Sequence, residues 1–297
     1  MENCNTPIRN SIKRPRSPVS IPPSPFLKKL GYGTGVAVYK LDRSPHENKI
    51  RSPWAIKKLL KRNISNATYG ERLNEEAEIL RKLDHPHIVG FRAFIKKPAN
   101  ESCLAMEKCD KCLGDLIEER NEQGLSAYPA ENIMKVALHI SDALNYLHNQ
   151  MLLHCDVKSY NILIKGDFEV CKLCDFGVTL PLAANNEVDY EKTGPDVEYS
   201  GTRLWSAPEI LEYPSKITTK ADIYSYGLVL WEMLALQPPC IDTMSDNDSS
   251  ITDLDESVGS FGKRPALPDQ DFDESYKYVL ELFHCCTEKI LVIAHLL

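Results

Sequence analysis

No stretch of this chain is long and apolar enough to suggest a membrane span. The last eight residues, ILVIAHLL at 290–297, fall far short of the roughly 20 that a bilayer requires. The N-terminus, MENCNTPIRNSIKRPRSP, also lacks the apolar core of a secretory leader. An excess of positive charge is missing as well: 35 Lys and Arg face 42 Asp and Glu, for a net charge of −7. That balance argues against general nucleic-acid binding, which depends on neutralising phosphates. No internal repeat is apparent, so a solenoid or propeller is not expected.

The ten cysteines, without a leader before them, read as free thiols in a reducing compartment. Two C-x-x-C pairs occur, Cys109/Cys112 and Cys171/Cys174. Four thiols of that spacing can hold zinc. The second pair, however, lies in a β-like run whose alternation works against aiming both at one metal. Buried or incidental thiols are the expected reading.

Composition shifts divide the chain. Residues 1–25 are rich in Pro, Ser and basic side chains and poor in apolar ones. Such a segment cannot bury enough surface to offset its ordering entropy, so we expect a disordered arm. From Phe26 the texture changes. KLGYGTGVAVYKL reads as strand, glycine turn, strand, and SPWAIKKLL as another strand. ERLNEEAEILRKL reads as a helix, with Leu73, Ala77, Leu80 and Leu83 on one face and Glu75 and Glu78 toward solvent. HIVGFRAFI and SCLAMEK are strand-like. Beyond about Cys112 helices dominate: LGDLIEERN, ENIMKVALHISDALNYLHNQ, KADIYSYGLVLWEMLAL and ESYKYVLELFHCC. Strands first and helices later imply an α+β chain with a small sheet-rich lobe and a larger helical lobe. The acidic, polar residues 242–257 read as a flexible insert.

Several residues carry chemistry. Gly31, Gly33 and Gly35 fall between two strands, where glycine lets backbone N–H groups approach phosphate. The third glycine of G-x-G-x-x-G-x-V is replaced by Val36, while Val38 fits. Lys57 closes Trp54-Ala55-Ile56-Lys57; a buried lysine needs anionic partners, and Glu76 on the following helix is the candidate. In His154-Cys155-Asp156-Val157-Lys158-Ser159-Tyr160-Asn161 an aspartate, a lysine two residues on and an asparagine five residues on form a set. Asp175-Phe176-Gly177 follows the strand VCKLC. Gly201-Thr202-Arg203 and Ala207-Pro208-Glu209 close a long irregular stretch.

This ordered set, spread over nearly 200 residues, resembles the eukaryotic protein kinases from about residue 26 to about residue 287, among relatives of the mitogen-activated protein kinase kinases. The resemblance implies a bilobal protein-kinase fold, with an N-lobe over 26–107 and a C-lobe over 108–287, and ATP and Mg2+ as cofactors. It implies that Lys57 contacts the α- and β-phosphates and pairs with Glu76. Asp156 would be the catalytic base, Lys158 a γ-phosphate contact, and Asn161 and Asp175 the magnesium ligands. Val38, Ala55 and Leu163 would enclose adenine. Met106 would be the gatekeeper, and Glu107 to Cys109 the segment whose backbone binds the adenine edge. Leu80, Phe91, His154 and Phe176 would stack as a spine anchored by Asp222.

The implied function is ATP-dependent phosphorylation of Ser or Thr, with Tyr as a second acceptor, on protein substrates in mitotic or MAP-kinase signalling. A catalytically impaired scaffold is the alternative, favoured by Val36 and by the divergent residues 288–297. A small-molecule kinase is disfavoured by the peptide-docking look of 201–209.

Cys155 stands where many kinases carry an arginine that pairs with a phosphorylated loop residue. A cysteine cannot make that pair, so activity is expected not to depend on a phosphate docking there. A redox role for this thiol needs a depressed pKa. The family continues past the Cys286-Thr287 position with an arginine that pairs with the Glu209 position; here EKILVIAHLL follows, so Glu209 is expected to lose that partner. His295 stands where a PDZ ligand needs Ser or Thr, so no PDZ partner is expected. Thr6-Pro7-Ile8-Arg9 suits an upstream proline-directed kinase acting on Thr6. Expected localisation is cytoplasmic, with Lys13-Arg14-Pro15-Arg16 as a nuclear-import candidate.

Overall fold

The computed structural model describes residues 27–33, 35–46, 49–60, 67–96, 102–212, 217–239 and 262–288. The arm 1–25, the insert 242–257, Thr6 and the tail beyond residue 288 lie outside them.

The N-terminal lobe is built on one antiparallel sheet in the order β1-β2-β3-β5-β4. Its strands are β1 (Lys28–Gly33), β2 (Val36–His46), β3 (Lys49–Leu59), β4 (Phe91–Ile95) and β5 (Cys103–Glu107). Each strand joins its neighbour in chain order by a short connection, except where helix α1 (Ala67–Lys82) intervenes after β3. Leu73, Ala77, Leu80 and Leu83 are buried and Glu75 and Glu78 exposed, as the 3.6-residue period requires. The same stripe buries Glu76 with its apolar neighbours, so the helix carries one carboxylate inward.

The C-terminal lobe is mostly helical. It holds α2 (Leu113–Glu122), α3 (Ala130–Asn149), α6 (Lys220–Ala235) and α7 (Lys277–Cys286), with the short α4 (Tyr190–Thr193) and α5 (Pro208–Glu212). Helix α6 is buried along nearly its whole length, and such all-round apolar helices occupy the centre of a lobe. It ends on Leu236 in the left-handed region. Beyond residue 261 the returning chain is fixed at two points. The Trp231 indole N–H donates to the Ala266 carbonyl at 2.7 Å. Arg264 Nε donates to Thr287 Oγ1 at 2.8 Å, and its Nη2 to the His284 carbonyl at 3.2 Å, at the end of α7. A guanidinium there satisfies carbonyls that the helix leaves open.

Three small strands line the cleft side of this lobe: β6 (Lys111–Cys112), β8 (Ile162–Lys165) and β9 (Val170–Leu173), in the order β6-β8-β9. β7 (Leu152–Leu153) pairs with β10 (Leu180–Pro181). The two lobes meet at the loop between α1 and β4. Val89 N–H donates to Leu173 O at 2.9 Å and Leu173 N–H to His87 O at 2.8 Å, so this loop runs beside β9. Among the described residues no helix is long and apolar enough to cross a membrane.

Candidate active site

Strand register carries the upper half of the site. Gly31 lies opposite Val38, Val38 opposite Lys57, and Lys57 opposite Leu104. One row across the sheet therefore holds a glycine, an apolar residue and the lysine. A neighbouring row pairs Ala55 with Met106, both buried, and Met106 in turn with Phe91. A Cβ added at Gly31 would meet nothing within 4 Å. Gly35 has φ +76° and the ring of Tyr69 against it, so its small size serves a left-handed turn and packing by α1. Val36 at the third-glycine position is buried with Leu59 and Leu73, which explains why a side chain is tolerated there.

Lys57 reaches two carboxylates. Its Nζ lies 2.8 Å from Glu76 Oε2 and 2.8 Å from Asp175 Oδ1. Burial alone would pull Lys57 down, but the two carboxylates more than reverse it and hold it above the usual lysine range. Burial pushes Glu76 up to about 7, against the pull of Lys57. Burial also opposes ionisation of Asp175, yet Lys57 holds that carboxyl below the ordinary range. The α1 helix, β3 and the segment after β9 thus converge on one ammonium.

The catalytic-loop set gathers around Asp156. Lys158 Nζ donates to Asp156 Oδ2 at 2.8 Å and to Thr202 Oγ1 at 2.7 Å. Thr202 donates from its hydroxyl to Asp156 Oδ1 at 2.6 Å and from its backbone N–H at 3.0 Å. Asn161 Nδ2 donates to Asp156 Oδ2 at 2.9 Å and to the Asp156 carbonyl at 2.7 Å. The Cys174 N–H donates to the Asn161 carbonyl at 2.9 Å, which sets Asn161 beside the residue that precedes Asp175. Leu163 follows on β8 opposite Cys112, and Cys109 lies buried between the lobes.

Asp222 on α6 fixes the loop from below. Fully buried, it accepts the His154 N–H at 2.9 Å and the Cys155 N–H at 3.0 Å, and lies 2.8 Å from His148 Nε2. His154 accepts the Asp156 N–H at Nδ1 and donates from Nε2 to the Cys174 carbonyl. Its ring meets Phe176 edge-on with centroids 5.1 Å apart. Leu80 is buried, and Phe91 is only partly so.

Cys155 has φ +68° and 1% exposure. Its neighbours are Leu153, Leu182, Val188 and Ile217, with Tyr199 and Val197 of the 174–209 segment packed on them. Burial, reinforced by Asp222, pushes the thiol well above its ordinary pKa, so it is a poor thiolate. A Cβ on Gly201 would lie 2.2 Å from the Cys155 carbonyl. The segment that carries Thr202 is therefore seated directly on the loop that carries Asp156.

The structure adds residues that spacing did not reveal. Glu232 of α6, fully in the core, accepts from Ser159 Oγ and from Trp205 Nε1, each at 2.7 Å. Burial pushes Glu232 up to about 8 against these donors. Glu107 turns its carboxylate away from β3 and β5 toward Lys165, Lys172 and the Gly90 N–H. The Glu107 side chain is thus engaged with these groups, which leaves its backbone for the adenine-edge role that the resemblance implies. Glu209 engages other groups in the described structure, while the segment expected to lack its arginine partner runs beyond residue 288, outside the described residues. Cys171 and Cys174 stand apart in role, since Cys171 is sealed beneath His139 and His87 while Cys174 adjoins Asp175. Among the described residues no group of three or more Cys, His, Asp or Glu is gathered as a metal site.

A two-lobed fold with a buried lysine–glutamate–aspartate triad in the cleft and an Asp-x-Lys-x-x-Asn loop beneath it defines an ATP-dependent phosphotransferase. The comparison with known proteins narrows the class. Residues 25–289 match the family model for the protein kinase domain, and the chain belongs to that family. It is 43% identical over 305 residues to the human lymphokine-activated killer T-cell-originated protein kinase, across 97% of this chain and 93% of that protein. It is 32% identical over 175 residues to the Caenorhabditis elegans mitogen-activated protein kinase kinase kinase zak-1, covering 56% of this chain and 22% of that one. It is likewise 32% identical over 214 residues to the probable serine/threonine-protein kinase SIS8 of Arabidopsis thaliana, covering 71% of this chain and 19% of that one. The chain is a protein kinase and ATP is its substrate.

Proposed function

We propose that the chain transfers the γ-phosphate of ATP to Ser or Thr hydroxyls of protein substrates, with Asp156 as the base. The observation that carries this reading is the setting of the Asp156 carboxylate, held by Lys158, Asn161 and Thr202 at 2.6–2.9 Å. A hydroxyl that displaces Thr202 from Asp156 Oδ1 would be aimed and deprotonated there. Lys158, already 2.8 Å from that carboxylate, would steady the transferring phosphoryl group. Lys57, fixed by Glu76, would hold the α- and β-phosphates in line.

The donor set also fits Mg2+. Asn161 spends its amide N–H groups on Asp156, which leaves its carbonyl oxygen. Asp175 directs Oδ1 to Lys57 and has a side chain 36% exposed. These are hard oxygen donors of the kind magnesium takes alongside phosphate. Bound there, the ion would neutralise phosphate charge. Control by a proline-directed kinase at Thr6, which the Thr6-Pro7-Ile8-Arg9 pattern suits, and a place in mitotic or MAP-kinase signalling, which the family resemblance implies, extend the proposal.

The test is γ-phosphate transfer from Mg-ATP to a generic protein substrate, beside Asp156→Asn. The variant should lose about 10²–10⁴-fold in rate while keeping nucleotide-induced thermal stabilisation. Equal transfer by both proteins removes Asp156 as the base. Stabilisation without transfer by the parent chain supports a nucleotide-binding scaffold instead.

A further inference from the structure

Lys172 is a buried cation that the phosphotransfer reading does not use. It lies in β9 between Cys171 and Leu173, both fully buried, and is itself only 8% exposed. A lysine in such a place must satisfy all three of its N–H donors. It does so with three acceptors: the Pro86 carbonyl at 2.6 Å, the Ile88 carbonyl at 3.3 Å and Glu107 Oε2 at 3.2 Å.

Those acceptors belong to two structures, which the one ammonium ties together. Pro86 and Ile88 lie in the loop that leads out of α1, the helix that carries Glu76. Glu107 ends β5 and begins the segment read as the adenine edge. Its carboxylate has one oxygen 2.9 Å from Lys165 and the other on Lys172 and the Gly90 N–H. Its backbone N–H donates to Gly90 O at 2.8 Å. The carboxyl is held below the usual range, burial being outweighed by Lys165 and Lys172.

We propose that Lys172 is a positioning residue for nucleotide binding: through Glu107 it fixes the backbone of residues 107–109 against the loop that follows α1. This rests on the reading of that backbone as the adenine edge. Lys172 contacts the Glu107 carboxylate, not the reacting atoms. Its effect should therefore fall on the adenine end of the ligand and spare the phosphate end.

The experiment measures binding of adenosine and of inorganic tripolyphosphate by the 1–297 chain, Lys172→Met, Glu107→Gln and the double variant. Lys172→Met should weaken adenosine about ten-fold, the size of one buried charge-assisted hydrogen bond, and leave tripolyphosphate unchanged. Glu107→Gln should weaken adenosine in the same direction. The double variant should be no worse than Lys172→Met, because the two act through one contact. In steady-state kinetics the loss should appear in KM for ATP, with kcat preserved.

A parallel loss of both ligands, or unchanged adenosine affinity, overturns the inference. Should Lys172→Met not fold, Glu107→Gln decides alone, since it keeps the shape and removes the charge; unchanged adenosine affinity in it is the overturning result. No adenosine binding by the parent chain overturns the nucleotide reading itself, and the inference with it.

Discussion

Cys155 is the residue at which regulation, rather than chemistry, is expected to differ. An arginine there would await a phosphate; the thiol instead sits in an apolar nest with Leu153, Val188 and Ile217, and the 174–209 segment packs onto it through Val197 and Tyr199. Apolar burial needs no modification to take effect. The docked segment presents Thr202 to Asp156. We therefore expect a phosphatase-treated chain to keep its transfer rate, measured beside the untreated protein. Loss of all activity on dephosphorylation of Thr193 or Thr202 would sink this account. Cys155→Arg would have to place a guanidinium in a site with 1% exposure, and its unpaired burial should lower the melting temperature.

At the scale of elements, β9 grips the α1–β4 loop through a stack of imidazoles. His87 and His139 stack with centroids 4.0 Å apart, and His85 stacks on Tyr146. Each ring has a fixed tautomer. His139 Nδ1 accepts the Cys171 N–H and His85 Nδ1 accepts the His87 N–H, while His87 Nδ1 donates to the Cys171 carbonyl. Protonation of His85 or His139 at Nδ1 would break its backbone bond.

Burial lowers both His85 and His139 from the ordinary histidine value, with Asp142 opposing and His87, Lys172 and Lys135 adding to the shift. For a folded pKa below the unfolded one, the stability is present above about 6.5 and is lost as pH falls through the folded value. The melting temperature should drop between about pH 7 and pH 5. His139→Gln, which keeps an acceptor and cannot protonate, should flatten that slope. An unchanged slope would place the titration elsewhere.

The whole molecule divides into what local pattern announces and what only folding brings together. Lys57, Glu76, Asp156, Asn161 and Asp175 were legible because each sits in a short string whose spacing is set by one turn or one strand. The lobes were legible because period-2 strands precede period-3.6 helices. Lys172 and Glu232 were not. Lys172 finds carbonyls 84 and 86 residues away, and Glu232 finds Ser159 across 73. No local periodicity encodes such partners. The only hint was a lysine inside a strand otherwise meant for the core.

Because both lobes contribute to the nucleotide cleft, ligand binding should report on the whole chain. At 100 times its dissociation constant, Mg-ATP should stabilise by about 2.7 kcal/mol, raising the melting temperature by roughly 5 °C. Lys57→Met should abolish most of that shift in a thermal melt. A full shift in the variant would mean that the phosphates are held elsewhere.

The clasp at the end of α7 has a consequence for protein engineering. Leu236 closes α6, and Arg264 and Ala266 are tied to Thr287 and Trp231, so the two shores of the 240–261 interval are moored independently of what spans them. A reporter domain spliced into that interval would have fixed attachment points on both sides. The hydrogen bonds at each attachment point do not involve the interval itself, so a fluorescent sensor grafted there should leave the cleft undisturbed.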